Sequence, residues 1–164
     1  MLFSFAAQPN RESLEVVYGR YADMLYRLAL SQLAVREDAE DAVHDVFEKY
    51  INTQPLFKDA EHEKAWFVRV TVNRCHDLYR KRSKLNHDTL ESVYDIGYTH
   101  DGDEPEIFRV VHSLPEKYRA AIVLHYVEGY SVEETAKLLK ISVSAVKMRL
   151  SRGRDYIKDL LKGE

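Results

Sequence analysis

Residues 128–150 read EGYSVEETAKLLKISVSAVKMRL, two short helical patterns joined by a hinge too short to let them lie antiparallel. Ser131 followed by Glu134 is a capping box: hydroxyl and carboxylate each take a backbone N–H that the helix start leaves unpaired, worth ~1 kcal/mol. Val132, Ala136 and Leu139 then form one apolar face, and the pattern lasts about two and a half turns, stopping near Lys140. Ser142 can cap a second helix, with Val143, Val146, Leu150 and Ile157 on its inward side. Ser144, Met148, Ser151 and Asp155 point the other way, with Lys147 and Arg152 on the flanks. Two helices set crosswise by such a turn make a helix-turn-helix, whose second helix can enter a DNA major groove. Ser144 and Ser151 are small enough for close approach to base edges, and Lys147, Arg149, Arg152 and Arg154 offer charge for phosphates or bases. An ordinary helical hairpin with a solvated basic face has the same periodicity. The turn carries Lys140 where glycine is common, a cost of ~1 kcal/mol if its φ is positive.

The rest of the 164-residue chain is almost all helix by pattern. Leu14, Val17, Tyr18, Tyr21, Leu25 and Leu28 recur at three- and four-residue steps, predicting a helix over 11–33. A second runs over 37–53 with Ala39, Val43, Val46, Phe47 and Tyr50 inward, and Pro55 marks its end. A third spans 63–82. Residues 83–104 keep no periodicity and read as a linker. Helices resume near Pro105, Pro115 opens another, and Gly129 is placed to cap it. The fold class is therefore all-α: two small helical domains, 1–82 and 105–164, joined by an acidic flexible linker, with the helix-turn-helix in the second.

The net charge of −3 is unevenly spread. Residues 1–82 carry 12 Lys and Arg against 13 acids, residues 83–106 one Lys against seven acids, and residues 107–164 11 bases against seven acids. Within the first unit the predicted second helix concentrates Glu37, Asp38, Glu40, Asp41, Asp45 and Glu48, which on its own is a solvated acidic face. The third helix is the opposite, with six bases and one acid between Trp66 and Lys84, beside Trp66, Phe67 and Tyr79. Aromatics along a basic track suit unpaired nucleic acid, where a base stacks or flips into a pocket; packing in the core is the plainer role for Trp66 and Phe67. Cys75 stands alone, so no disulfide framework exists, and a reducing cytoplasm fits. No run approaches the ~20 apolar residues of a membrane span, and MLFSFAA lacks the basic start of a signal peptide.

The order AEDAVHDVF, AWFVRVTVNRCHDLYRKR, acidic linker, then LPEKYRAAIVLHYVEGYSVEETAKLLKISVSAVKMRLSRGR resembles a bacterial RNA polymerase sigma factor of the extracytoplasmic-function group. The resemblance covers roughly 11–82 and 105–161. It implies a transcription initiation factor that takes core polymerase to promoters. It assigns Asp38, Asp41, Asp45 and Glu48 to the clamp coiled coil of the polymerase. It puts −10 element reading and melting on the loop and third helix: Thr53, Phe57, Lys58 and Asn73 around a flipped base, Trp66 beside them, and Arg74, Arg80, Lys81 and Arg82 on the backbone. It puts −35 recognition on Ser144, Lys147, Met148, Arg149, Ser151 and Arg152. The run from Ile122 to Val127 is implied to be part core and part seat for the polymerase flap tip, and the acidic linker to run through the RNA exit channel. An anti-sigma factor is a candidate further partner. No cofactor, metal or membrane insertion is implied.

A stand-alone helix-turn-helix regulator shares the C-terminal unit but does not need the aromatic and basic third helix. An enzyme needs a nucleophile or a metal constellation. The seven His are scattered, and His62-Glu63 fails as a zinc-protease start because Trp66 occupies the second histidine's position. There is no Gly-rich phosphate loop.

Overall fold

The computed structural model describes residues 11–85 and 105–163. Among these, the chain forms seven α-helices and one π-helical turn: α1 Leu14–Leu33, α2 Arg36–Thr53, α3 Ala60–Leu85, α4 Glu106–His112, α5 Glu116–Ile122, the π-turn Val123–Val127, α6 Val132–Leu139 and α7 Val143–Lys162. The predicted linker lies outside the described residues except 83–85, which continue α3.

Helices α1, α2 and α3 pack into the first unit. Ser13 caps α1, and the chain leaves α1 and α2 through left-handed residues, Ala34 at φ 61° and Gln54 at φ 43°. All five inward residues expected of α2 are buried. On α1, Val17, Tyr21, Leu25 and Leu28 are buried as the pattern requires, but Leu14 and Tyr18 lie outward, 44% and 52% exposed. The buried stripe of α1 starts at Val17 and widens toward the C-terminus to include Ser31 and Gln32. Phe67, fully buried, stacks on Tyr21 at 4.7 Å between centroids and meets Phe47 and Tyr50 at 5.2 Å each. Glu63 accepts from the Tyr21 hydroxyl at 2.8 Å and from Arg20 at 3.0 Å, tying α3 to α1. Burial first, and Glu63 second, push the Tyr21 hydroxyl up to about 12.

The widened C-terminal face of α1 is explained by the second unit, which packs on it. Helices α4 and α5 lie against α1, and α6 lies against α3, so one continuous apolar core runs through both units. The seam between them is also polar. Arg27 donates to both oxygens of Glu128, at 2.6 and 3.0 Å. Arg119, buried, donates to the carbonyls of Leu114 at 2.8 Å and Gln32 at 2.9 Å. His76 meets Glu116 at 3.2 Å and Lys137 meets Glu61 at 3.4 Å. Lys64 stands 5.0 Å over the Tyr130 ring, whose hydroxyl reaches Met24 Sδ at 3.4 Å.

Candidate nucleic-acid interface

The helix-turn-helix is built as its sequence requires. Glu134 N–H donates to Ser131 Oγ at 3.0 Å, and Ser131 N–H donates to Glu134 Oε2 at 2.8 Å, closing the capping box. Lys140 sits at φ 55°, ψ 47°, the left-handed conformation that a lysine adopts at a cost. Ser142 caps α7 by accepting from Ala145 N–H at 3.0 Å. The inward faces differ in detail from the pattern. In α6, Thr135, Ala136 and Leu138 are buried while Val132 and Leu139 are only partly so. In α7, Val146 and Leu150 are buried and Ile157 is partly so, but Val143 is exposed and Gly153 is buried instead. A Cβ on Gly153 would fall 2.8 Å from Ile122 Cδ1, so the bare backbone is what lets α7 close on the end of α5.

The outward face of α7 presents Ser144, Lys147, Met148, Ser151 and Arg152, all exposed, with Arg149 half-buried. Arg152 stands close enough to the Tyr118 hydroxyl to lower its pKa, and Arg154 Nη1 donates to the Tyr126 hydroxyl at 2.8 Å, anchoring that arginine to the unit beneath. Together these side chains form a strip one helix wide, with Ser144, Met148 and Ser151 along its centre and cations at its margins.

In the first unit, the loop before α3 is held by local bonds. Asp59 Oδ1 accepts from His62 N–H at 2.8 Å, and Lys58 N–H donates to His62 Nδ1 at 3.2 Å. Phe57 leans edge-on against His62 at 5.4 Å and Trp66 at 5.9 Å, and Trp66 in turn meets Tyr50 and Phe67. Trp66 is thus partly core and partly floor for Phe57. Thr53 spends its hydroxyl on the Lys49 carbonyl at 2.7 Å. The structure does not put Phe57 and Asn73 in one pocket. Phe57 lines an open cleft of about 720 Å³ with Tyr50, Leu56 and Glu63. Asn73, exposed two turns further along α3, lines a separate hollow of about 110 Å³ with Asp45, Lys49, Val70, Arg74 and Asp77.

Two of the arginines expected on DNA are paired with acids expected on the polymerase. Arg74 Nε donates to Asp45 Oδ2 at 2.7 Å, and Arg82 is ion-paired with Asp38. Arg80 and Lys81 are exposed, as are Lys58, Asp41 and Glu48, the last 3.9 Å from His44 Nδ1. His44, Asp45 and Glu48 bring ligand atoms within 4.8 Å of one another, but Asp45 is engaged by Arg74. Reading along single helices missed these pairs and the buried Arg119. The available signal was that acids on α2 and arginines on α3 fall at matching two-turn intervals on antiparallel helices.

A unit of four α-helices with an exposed helix-turn-helix, packed on a three-helix unit with a basic and aromatic third helix, defines a DNA-binding protein of two parts. Residues 17–85 match the Sigma-70 region 2 family and residues 106–157 match Sigma-70, region 4. The chain is 30% identical over 166 residues to the ECF RNA polymerase sigma factor SigE of Mycolicibacterium smegmatis, covering 95% of this chain and 63% of that one. It is also 30% identical over 154 residues to ECF RNA polymerase sigma factor SigM of Mycobacterium tuberculosis, covering 93% and 79%. Its structure superposes on the sigma factor RpoE in complex with the anti-sigma factor NepR from Bartonella quintana, with TM-score 0.71, 25% identity and coverage of 90% and 96%. CnrH in complex with the cytosolic domain of CnrY gives TM-score 0.69, 25% identity and coverage of 95% and 92%. The chain belongs to the extracytoplasmic-function sigma factors of the sigma-70 family. It is a promoter-directing initiation factor of that family and not a stand-alone regulator. Among the described residues no helix is long and apolar enough to cross a membrane.

Proposed function

We propose that this chain brings core RNA polymerase to promoters with its tasks divided along its helices, and that it has no catalytic chemistry of its own. Asp38, Asp41, Asp45 and Glu48 of α2 meet the polymerase clamp, α3 and its preceding loop read and open the −10 element, and the outward face of α7 reads the −35 element. The observation that carries this reading is the exposed strip of α7, Ser144 to Arg152, in a chain whose other unit matches region 2. The modest charge supports it too. The first unit has 12 bases against 13 acids, so it cannot hold DNA by charge alone and needs the polymerase for grip. An anti-sigma factor as a partner is supported by the structural neighbour RpoE, solved in complex with the anti-sigma factor NepR, which aligns over both units of this chain. The place of action is the cytoplasm, where polymerase and promoter DNA are found.

Run-off transcription with core polymerase on a genomic library tests the reading. The expected result is a set of transcripts whose promoters share −10 and −35 sequences and which require the chain. Duplex binding by the chain without polymerase, with no polymerase-dependent transcripts, would overturn this division of tasks.

A further inference from the structure

Two acids of α2 hold two arginines of α3 across one antiparallel seam. Asp38 and Asp45 are seven residues apart, about two turns, and their partners Arg82 and Arg74 run the opposite way along α3. All four side chains keep some exposure, Asp45 36% and Arg74 30%, Asp38 23% and Arg82 34%, although the Asp38 Oδ2 that meets Arg82 is itself buried. The Arg74–Asp45 pair also forms part of the wall of the hollow that contains Asn73. A guanidinium bound to a carboxylate offers a phosphate no net charge and has fewer free N–H donors. Ion pairs that still reach solvent, a quarter to a third exposed here, are weak enough for a competing partner to exchange them.

We propose that Asp38 and Asp45 mask Arg74 and Arg82 from nucleic-acid phosphates, and that a basic partner surface taking the two acids lifts the mask. The identity of that surface as polymerase rests on the function proposed above. The masked state would keep a helix with five bases in its second half from gripping DNA before the factor is assembled. Because the partner and the phosphates compete for opposite members of the same pairs, each raises the other's affinity by the same factor.

The test measures binding of the full chain, without polymerase, to a fluorescein-labelled single-stranded DNA 20-mer by anisotropy across a salt series. Asp38→Asn with Asp45→Asn keeps side-chain shape and frees both arginines. The expected result is a roughly tenfold gain in affinity and a log–log salt slope steeper by about 1.4, two phosphates on a single strand. Asp23→Asn with Glu37→Gln removes the same charge from exposed sites and is expected to change affinity less than about twofold. Adding Arg74→Ala and Arg82→Ala to the first variant should erase the gain. An unchanged affinity and slope in the first variant, or an equal gain in the charge control, overturns the mask. Holoenzyme assembly of the Asp38→Asn, Asp45→Asn variant is read in parallel. Lost assembly with unchanged DNA affinity keeps α2 as the polymerase face and overturns the mask. Normal assembly with raised DNA affinity keeps the mask and overturns polymerase as the partner that lifts it.

Discussion

Arg27 grips Glu128 through two parallel hydrogen bonds, 2.6 and 3.0 Å, joining α1 to the end of the π-turn across 101 residues of sequence. Glu128 is only 11% exposed, so its carboxylate depends on this partner, and the pairing raises the Arg27 pKa. Arg27→Ala is expected to lower unfolding stability by about 1 kcal/mol and to increase the radius of gyration in small-angle scattering. An unchanged radius with the same stability loss would mean that the apolar part of the seam holds the units together unaided.

The turn between α6 and α7 makes two opposite forecasts. Ser131→Ala removes one half of the capping box and should cost about 1 kcal/mol in thermal unfolding. Lys140→Gly relieves a left-handed lysine at φ 55° and should gain about 0.5–1 kcal/mol, since glycine populates that region freely. Equal effects of the same sign would show that the turn's conformation is not what sets its stability.

His112 gives the fold a pH dependence of known sign. Burial, and then the charge of Arg119, lower its pKa from 6.5 to about 4. The unfolded chain therefore binds a proton that the folded chain refuses between those values. Stability carries no contribution from this group above pH 6.5, and falls as pH drops from there toward about 4. Urea unfolding of wild type and His112→Gln over that range checks it: the variant should lose less stability on acidification, by a margin that grows toward the lower pH.

On α7, Lys147→Ala should weaken −35-dependent transcription by ~1–3 kcal/mol if the side chain reads a base, and by a smaller, salt-dependent amount if it holds phosphate. Competition of substituted −35 duplexes in a holoenzyme footprint separates the two. Arg152, whose charge is shared with the neighbouring Tyr118 hydroxyl, should give the smaller effect of the two when cut to alanine.

Asn73 is exposed on α3, and its amide offers both a donor and an acceptor to one base edge. Asn73→Ala should leave holoenzyme assembly intact and lose preference at one −10 position, read by permanganate opening on promoters substituted one position at a time. Phe57→Ala should not copy that loss, because the two side chains line different hollows.

The elements and most of the inward faces were legible because helical periodicity reports a buried stripe directly. The five inward residues of α2 and the Ser131–Glu134 box follow from spacing and side-chain chemistry, whereas for Lys140 the sequence marks only where a positive φ would carry a cost. Periodicity says nothing about which stripe meets which. Ser31, Gln32 and Arg119 are polar side chains buried where the units meet, and no single-helix pattern announces that. Gly153 escaped notice for a related reason: its burial follows from Ile122, 31 positions away, which takes the space where a side chain would be. The ion pairs between α2 and α3 were invisible for the same cause, since each acid and each base satisfied a separate local reading.

The continuous core has a consequence for affinity. A globule the size of the described residues, 11–85 with 105–163, has a radius of gyration of ~14 Å, whereas two sites centred about 25 base pairs apart lie ~85 Å apart along B-form DNA. Any complex that holds both sites at once must draw on the open members of the population. Its apparent dissociation constant is then the intrinsic one divided by the open fraction. A seam worth ~2.7 kcal/mol leaves about 1% of molecules open and weakens such a complex about a hundredfold. A ligand that grips only the shut form multiplies that deficit by one plus the ratio of its concentration to its dissociation constant. Substitutions such as Arg27→Ala, remote from DNA, therefore tune promoter use by setting how many molecules are competent.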